Sequence, residues 1–488
     1  MNLTHHPMTR VDTAWRRMDT DVNLMMIVGV WIIAPRLPIA TMRERVQTRM
    51  LRFERFRQKV VLGTFGAEWI DDDHFDINRH VIAEKLHRRR GQSARSALQQ
   101  RMGELASTPL DPAHPLWAFH YFEDYDGGSA SVCRIHHCIG DGVALNSVMT
   151  ALCDDGELPP QIDGKAGNGH DPHGARADDH HRGDTVAETL LGPLTGLAVK
   201  AIDLTGDAVA KSLHWLAHPG EALTAARDVA ADGVQLASDV AAMALLPDDS
   251  KTRLKGHGSG SKVVAWCEPL PLEPVKTVGK ALGASVNDVL LSCVAGAIGR
   301  HLREQGDETH GCDIRALVPV NLRPLSEAWQ LGNRFGLVPL LVPVGIENPI
   351  ERLGVVHARM QALKTSYQPV LAYGLLALSG LLVEPGQRVI SNLFLDKTTA
   401  VMTNVPGPPQ PLRIGGAAVR QSIFWVPSSG DVGMGVSIIS YAGGVQFGLI
   451  TDKKLCPRPE CIIERFGDEF DKLLLLTMML PWDDPAAA

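Results

Sequence analysis

Arg134-Ile135-His136-His137-Cys138-Ile139-Gly140-Asp141-Gly142 is the stretch on which the reading of this chain turns. Alternating apolar residues from Ser131 to Ile135 predict a strand, Gly140 and Gly142 bound a tight turn, and a helix is predicted from about Val143. That places a histidine at a strand end. HxxxDG is expected by chance roughly 0.1 times in a chain of this composition, and roughly 0.005 times with the extra His, so the pattern is specific. Adjacent histidines alone mean little, because His5-His6 and His180-His181 occur as well.

Around this turn lies a chain of 488 residues, long enough for two packed domains, with 45% hydrophobic residues to build their cores. A net charge of -7 lacks the basic footprint of a nucleic-acid binder, so no nucleic-acid partner is expected. The eight cysteines are scattered and form no CxxC pair, which argues against a disulfide framework or structural zinc and for a reducing cytoplasm. The first apolar run, Leu24 to Ala34, follows Asp19 and Asp21 and does not read as a signal peptide. Val370 to Val383 is too short for a membrane-spanning helix, which needs roughly 20 residues.

Composition divides the chain in three. Residues 1–155 read as mixed strands and helices, with Leu24 to Ala34 as a buried strand, Thr41 to Val61 as a basic amphipathic helix and Trp117 to Phe122 as a strand. Residues 156–262 read as a polar loop, Gln161 to Thr185, and an Ala-rich helical arm, Val186 to Leu246. Residues 263–488 resume the mixed pattern: strands at Val263 to Glu268, Ile314 to Val320 and several near the end, helices at Ser285 to Leu302 and Asn348 to Lys364. The fold class is α/β with mixed sheets.

The turn resembles the HHxxxDG motif of the bacterial wax ester synthase/diacylglycerol acyltransferase family, within the wider group of HxxxDG acyltransferases. Other segments agree in order along the chain: Thr9 to Trp15 with the opening S/T-x-x-D segment, Pro115-Leu116-Trp117 with PLW, and Ser285 to Val289 with the ND motif. Val320 to Arg323 is similar to the post-strand Arg segment and Asn404 to Pro408 to the NVPGP turn. Met25-Met26 stands where many members have Met-His. The resemblance implies two chloramphenicol-acetyltransferase-like domains joined by a long helical linker, with the active site in a tunnel at their interface.

Ester formation from a thioester needs a base for the alcohol proton and donors for the tetrahedral oxyanion. His137 is the histidine that satisfies HxxxDG and is the expected general base, acting by direct attack of the alcohol without an acyl-enzyme; an imidazole titrates near neutrality. Asp141 is either the orienting acid of a catalytic pair or a structural ion partner, and the resemblance favours the second, with Arg323. His136 is expected to be structural, hydrogen-bonding inside the strand end, and Gly142 to allow close packing or an unusual backbone angle. Ser285 and Asp288 have capping-box spacing, which puts Asn287 in a helix first turn as a candidate oxyanion donor. Pro115, Leu116 and Trp117 read as core packing from their sequence, and the resemblance adds a structural or substrate-binding role. Leu371 to Val383 suits an acyl tunnel, a lipid contact or a buried helix.

The resemblance implies an O-acyltransferase moving a long-chain acyl group from acyl-CoA to a fatty alcohol or a diacylglycerol, with no cofactor beyond acyl-CoA as substrate and peripheral association with the inner membrane or a lipid inclusion. Two alternatives are a carrier-protein-dependent HxxxDG acyltransferase and a non-catalytic lipid-surface protein.

Overall fold

The computed structural model describes residues 5–20, 22–63, 66–159, 249–364, 366, 368–380, 397–427 and 432–480. The expected polar loop and helical arm, and the end of the apolar run after Gly380, lie outside the described residues. The first part of the chain contributes strands β1 (His5–Pro7), β2 (Met26–Ala34), β3 (Gln58–Leu62), β4 (Ala67–Asp71), β5 (Val81–Glu84), β6 (Trp117–Tyr125) and β7 (Gly128–His136). Its helices are α1 (Arg10–Arg17), α2 (Ile39–Thr48), α3 (Ile77–His80), α4 (Ala94–Ala106) and α5 (Gly142–Ala151). Beyond residue 249 come β8 (Lys262–Trp266), β9 (Leu270–Pro271), β10 (Ile314–Asn321), β11 (Phe335–Val342) and β12 (Ala400–Pro406). They are followed by β13 (Arg413–Ile414), β14 (Ala417–Trp425), β15 (Met434–Tyr441) and β16 (Gly444–Asp452). The helices here are α6 (Leu272–Ala281), α7 (Val286–Glu304), α8 (Pro349–Lys364), α9 (Gln368–Ser379) and α10 (Glu460–Met478).

Two mixed sheets carry the fold. The first runs β13-β14-β2-β7-β6-β5 and is antiparallel except for the β5/β6 pair. The second runs β11-β10-β12-β15-β16-β8, with β10, β12 and β15 parallel and β9 added beside β16. A small sheet, β1-β4-β3, packs near the start of the chain. In β7 every residue is buried, because β2 and β6 flank it and both faces are covered, so the alternation read from its sequence does not mark one solvent face.

The topology corrects the sequence-based division in one respect. Residues 413–425 do not stay with the second sheet: β14 pairs with β2, register Ile423 to Val30 and Phe424 to Gly29, and covers what would be an open edge of the first sheet. A side chain at Gly29 would meet Cys133 Sγ of β7 2.8 Å from the ideal Cβ position and Ile423 O and Phe424 Cβ of β14 at 3.2 Å, so β2 is closely packed by both of its neighbours there. Trp425, Ile439 and Tyr441 consequently belong to the first core, while a second core fills the space among α7, α8, α10 and their sheet.

The basic helix expected over 41–61 is also shorter. It stops at Thr48, gives way to two short 3-10 turns, and ends in β3. The run Met50, Phe53, Phe56 is buried at a spacing of three, which suits 3-10 turns and packs under the first sheet.

Candidate active site

His137 follows β7 directly, and its N–H donates to Met25 O (2.7 Å) at the entry to β2. Its ring lies against α1 and the segment leading into β11: Trp15 stacks on it, centroids 4.3 Å apart and planes 12° off parallel, and Phe335 leans in at 5.5 Å. Nδ1 faces Asn333 Oδ1 at 2.8 Å. The Asn333 amide nitrogen donates to His137 O and to Asp12 Oδ1, both at 2.8 Å, and Asn333 N donates to the same carboxylate oxygen at 3.1 Å. His137 is 3% exposed, and burial pushes its pKa down to about 4, so the imidazole is neutral at physiological pH.

Asp141 is the N-cap of α5, with Oδ1 accepting from Ala144 N at 2.9 Å. Its Oδ2 accepts from Arg323 Nη2 at 2.8 Å and from Arg334 N at 3.0 Å. The Arg323 guanidinium also donates to Gly332 O (2.6 Å) and to Gln330 O. Of the two readings of Asp141, the ion-paired one is therefore the geometry present, and the carboxylate joins the HHxxxDG turn to the β10–β11 connection. Gly140 and Gly332 form a bridge there. Gly332 has φ +117°, in the region that favours glycine, and this bend delivers Asn333 to the histidine.

His136 points away from His137. Its Nδ1 accepts from Cys138 N (3.1 Å), so Nε2 carries the proton and donates to Asp19 Oδ2 (3.1 Å). Asp19 Oδ1 accepts from Met25 N at 2.6 Å, and Met25 in turn supports His137. The structural role expected of His136 thus has named partners.

The structure bears on three further expectations. Gly142 takes an ordinary helical position, and the nearest atom to a Cβ placed there is Phe424 at 4.0 Å; neither close packing nor an unusual backbone angle requires it. It instead borders an apolar cleft, lined also by Ile135, Leu145, Met149, Val405 and Pro408, that an added side chain would narrow. Trp117 is a core residue: its indole N–H donates to Phe56 O (2.9 Å) and His80 stacks on it at 4.4 Å. Pro115 is buried beside it, and Leu116 lines an opening beside Asp19, Met26 and His136. Asn287 is not among the residues that touch the His137 ring; it is half-buried at the start of α7 and accepts from Asn404 Nδ2 at 2.8 Å. That bond ties the ND segment to the Asn404–Pro408 turn, whose later residues border the cleft. Asp288 closes the expected capping box with Ser285 and also accepts from His357 Nδ1 at 2.8 Å.

Sequence reasoning does not reach Asn333, Phe335 or Asp19 as site residues, and it gives Asp12 and Trp15 no role of their own. Leu331-Gly332-Asn333 before an apolar strand is a turn signal, but nothing in its spacing points to a residue almost 200 positions earlier.

Fold and site together define a two-sheet HxxxDG acyltransferase. The wax ester synthase/diacylglycerol acyltransferase catalytic domain matches residues 8–290, and the WS/DGAT C-terminal domain matches residues 331–474. The chain belongs to the wax ester synthase/diacylglycerol acyltransferase family and is an O-acyltransferase. A relative from Mycobacterium tuberculosis (strain ATCC 25618 / H37Rv), described as a probable diacylglycerol O-acyltransferase, tgs1, is 28% identical over 447 residues, covering 89% of this chain and 88% of that protein. The wax ester synthase/diacylglycerol acyltransferase from Marinobacter aquaeolei VT8 has a similar structure, TM-score 0.63 at 18% identity, over 97% of this chain and 100% of that one. The first condensation domain of the CDA synthetase shares the fold at TM-score 0.55 and 15% identity, over 96% of each chain.

Proposed function

We propose that the protein transfers a long-chain acyl group from acyl-CoA to the hydroxyl of a diacylglycerol, with a fatty alcohol as the other acceptor. The observation that carries this reading is a neutral imidazole, His137, held at the junction of the two sheets with Nδ1 engaged and a cleft of mostly apolar lining beside its turn. An aliphatic chain suits such a lining, and the name of the mycobacterial relative favours diacylglycerol.

In this mechanism Nε2 of His137 takes the proton of the acceptor hydroxyl as its oxygen attacks the thioester carbonyl carbon. The tetrahedral oxyanion then collapses, the C–S bond breaks, and the imidazolium returns the proton to the CoA thiolate. Acyl-CoA and alcohol become ester and free CoA, and the imidazole ends as it began. A base with depressed pKa stays deprotonated between turnovers, and Trp15 stacking fixes its plane. Asn287 is retained as a candidate oxyanion donor on the strength of its bond to Asn404, which leads into the turn that borders the cleft.

With this activity the protein would work on the cytoplasmic side, at a membrane or lipid-inclusion surface, because acceptor and product are both lipids. Leu475, Met478 and Met479 at the end of α10 are 61%, 64% and 81% exposed and offer an apolar contact for it. Among the described residues, no single helix is long and apolar enough to cross a membrane.

Thiol release from palmitoyl-CoA, measured with dipalmitoylglycerol, hexadecanol or no acceptor, tests the reading. Acceptor-dependent release that His137→Ala abolishes is expected, and full activity in that variant would refute the mechanism.

A further inference from the structure

We infer that Asp12 and Asn333 form a positioning pair that decides which nitrogen of the His137 imidazole carries the proton. Donors and acceptors can be matched in only one way. Asp12, fully buried in the first turn of α1, presents a carboxylate oxygen to both the backbone N–H and the side-chain amide of Asn333. An ionised carboxylate only accepts, so the Asn333 NH2 group must face it, and the second hydrogen of that group goes to His137 O. Asn333 Oδ1 is then the atom left facing His137 Nδ1 at 2.8 Å. A carbonyl oxygen only accepts as well, so Nδ1 carries the hydrogen and the lone pair is on Nε2. Without Asp12 only the His137 carbonyl would orient the amide, a turned-over amide would become less unfavourable, and the opposite tautomer would gain population.

Arg55 supports the arrangement with Nη1 at 3.0 Å from the other carboxylate oxygen of Asp12. Trp15, one turn further along the same helix, prevents the ring from swinging away. The three participants come from α1, the β7–α5 turn and the β10–β11 connection, so the base is set in its working tautomer only when the two sheets are docked. The role rests on the general-base reading of His137 for its effect on rate, but the tautomer itself is measurable without turnover.

The test combines 15N NMR of the His137 ring with pH profiles of acyl-CoA thiol release, for the wild type and for Asp12→Asn, Asn333→Asp and Asn333→Ala. A single Nδ1–H tautomer is expected in the wild type and a mixture in Asp12→Asn, with kcat lowered by the Nδ1–H fraction that is lost, roughly 2-fold for an even mixture and more as the other tautomer dominates, and KM for acyl-CoA nearly unchanged. Asn333→Asp sets a carboxylate beside Nδ1 and is expected to move the acid limb of kcat/KM upward by about one pH unit or more. Asn333→Ala leaves the Asp12–Arg55 ion pair in place and serves if Asp12→Asn does not fold. An unchanged tautomer in Asp12→Asn or Asn333→Ala, with an unmoved acid limb in Asn333→Asp, would overturn the inference. A wild type that shows the single tautomer but releases no thiol would instead overturn the proposed function and leave the pair standing.

Discussion

The ion pair between Asp141 and Arg323 gives the sharpest stability prediction, because both side chains are almost completely withdrawn from water, 5% and 0% exposed. Arg323→Met leaves the Asp141 carboxylate buried with two backbone N–H donors and no countercharge. Removing one member of a buried pair costs about 3–5 kcal/mol. Asp141→Asn strands the guanidinium among Gly332 O, Gln330 O and an amide, with a loss of similar size, although Asn still caps α5. In the double variant no charge is buried, and the remaining loss is that of carbonyls without donors, about 1–3 kcal/mol. The two single losses should therefore exceed the double loss by roughly 3 kcal/mol or more. Urea unfolding of all four proteins at pH 7 measures this directly. Losses that add to within about 0.5 kcal/mol would refute a direct ionic contact. Exchanging the two residues is a poorer test, since a carboxylate at position 323 would face the carbonyls that the guanidinium now satisfies. Thiol release by the folded double variant separates the roles further: activity that recovers with stability marks a structural carboxylate.

Two further outcomes follow from the site. The pKa of His137, held by burial at about 4 against an ordinary 6.5, is below its unfolded value, so protonation favours the unfolded chain. Stability should fall as pH drops from 6.5 towards 4, by about 3 kcal/mol from this group. His137→Gln should lose that component, which denaturation at pH 7 and pH 4.5 would detect; equal pH dependence in both proteins would contradict the buried neutral imidazole. For Asn287, replacement by Ala removes one half-buried hydrogen bond to Asn404 and should leave the melting temperature nearly unchanged. Turnover slowed about 10-fold or more in that variant supports the oxyanion role, and an unchanged rate dismisses it.

Elements that close on themselves within a short window are legible in the chain. The HHxxxDG strand-turn-helix, the Ser285–Asp288 capping box and the Pro349-initiated helix depend on local hydrogen bonds and periodicity, and each appears where the sequence places it. The 41–61 segment departs from its expected helix because its polar and apolar residues satisfy a helical pattern on average, whereas burial of Met50, Phe53 and Phe56 favours tighter turns. The partner of Asp141 comes from resemblance, not from spacing.

The available chemistry is written in the chain: a histidine at a strand end, a capping aspartate, and two stretches of mixed strands and helices with enough apolar residues for two cores. How that histidine is held is settled by long-range packing alone. Asn333 lies 196 residues from His137 and 321 from Asp12, and β14 reaches back to β2 from the far end of the chain. Contacts across such separations are selected by complementary donors, acceptors and surfaces in the folded state. No local periodicity records them, because each residue satisfies its neighbours in sequence equally well with or without its distant partner.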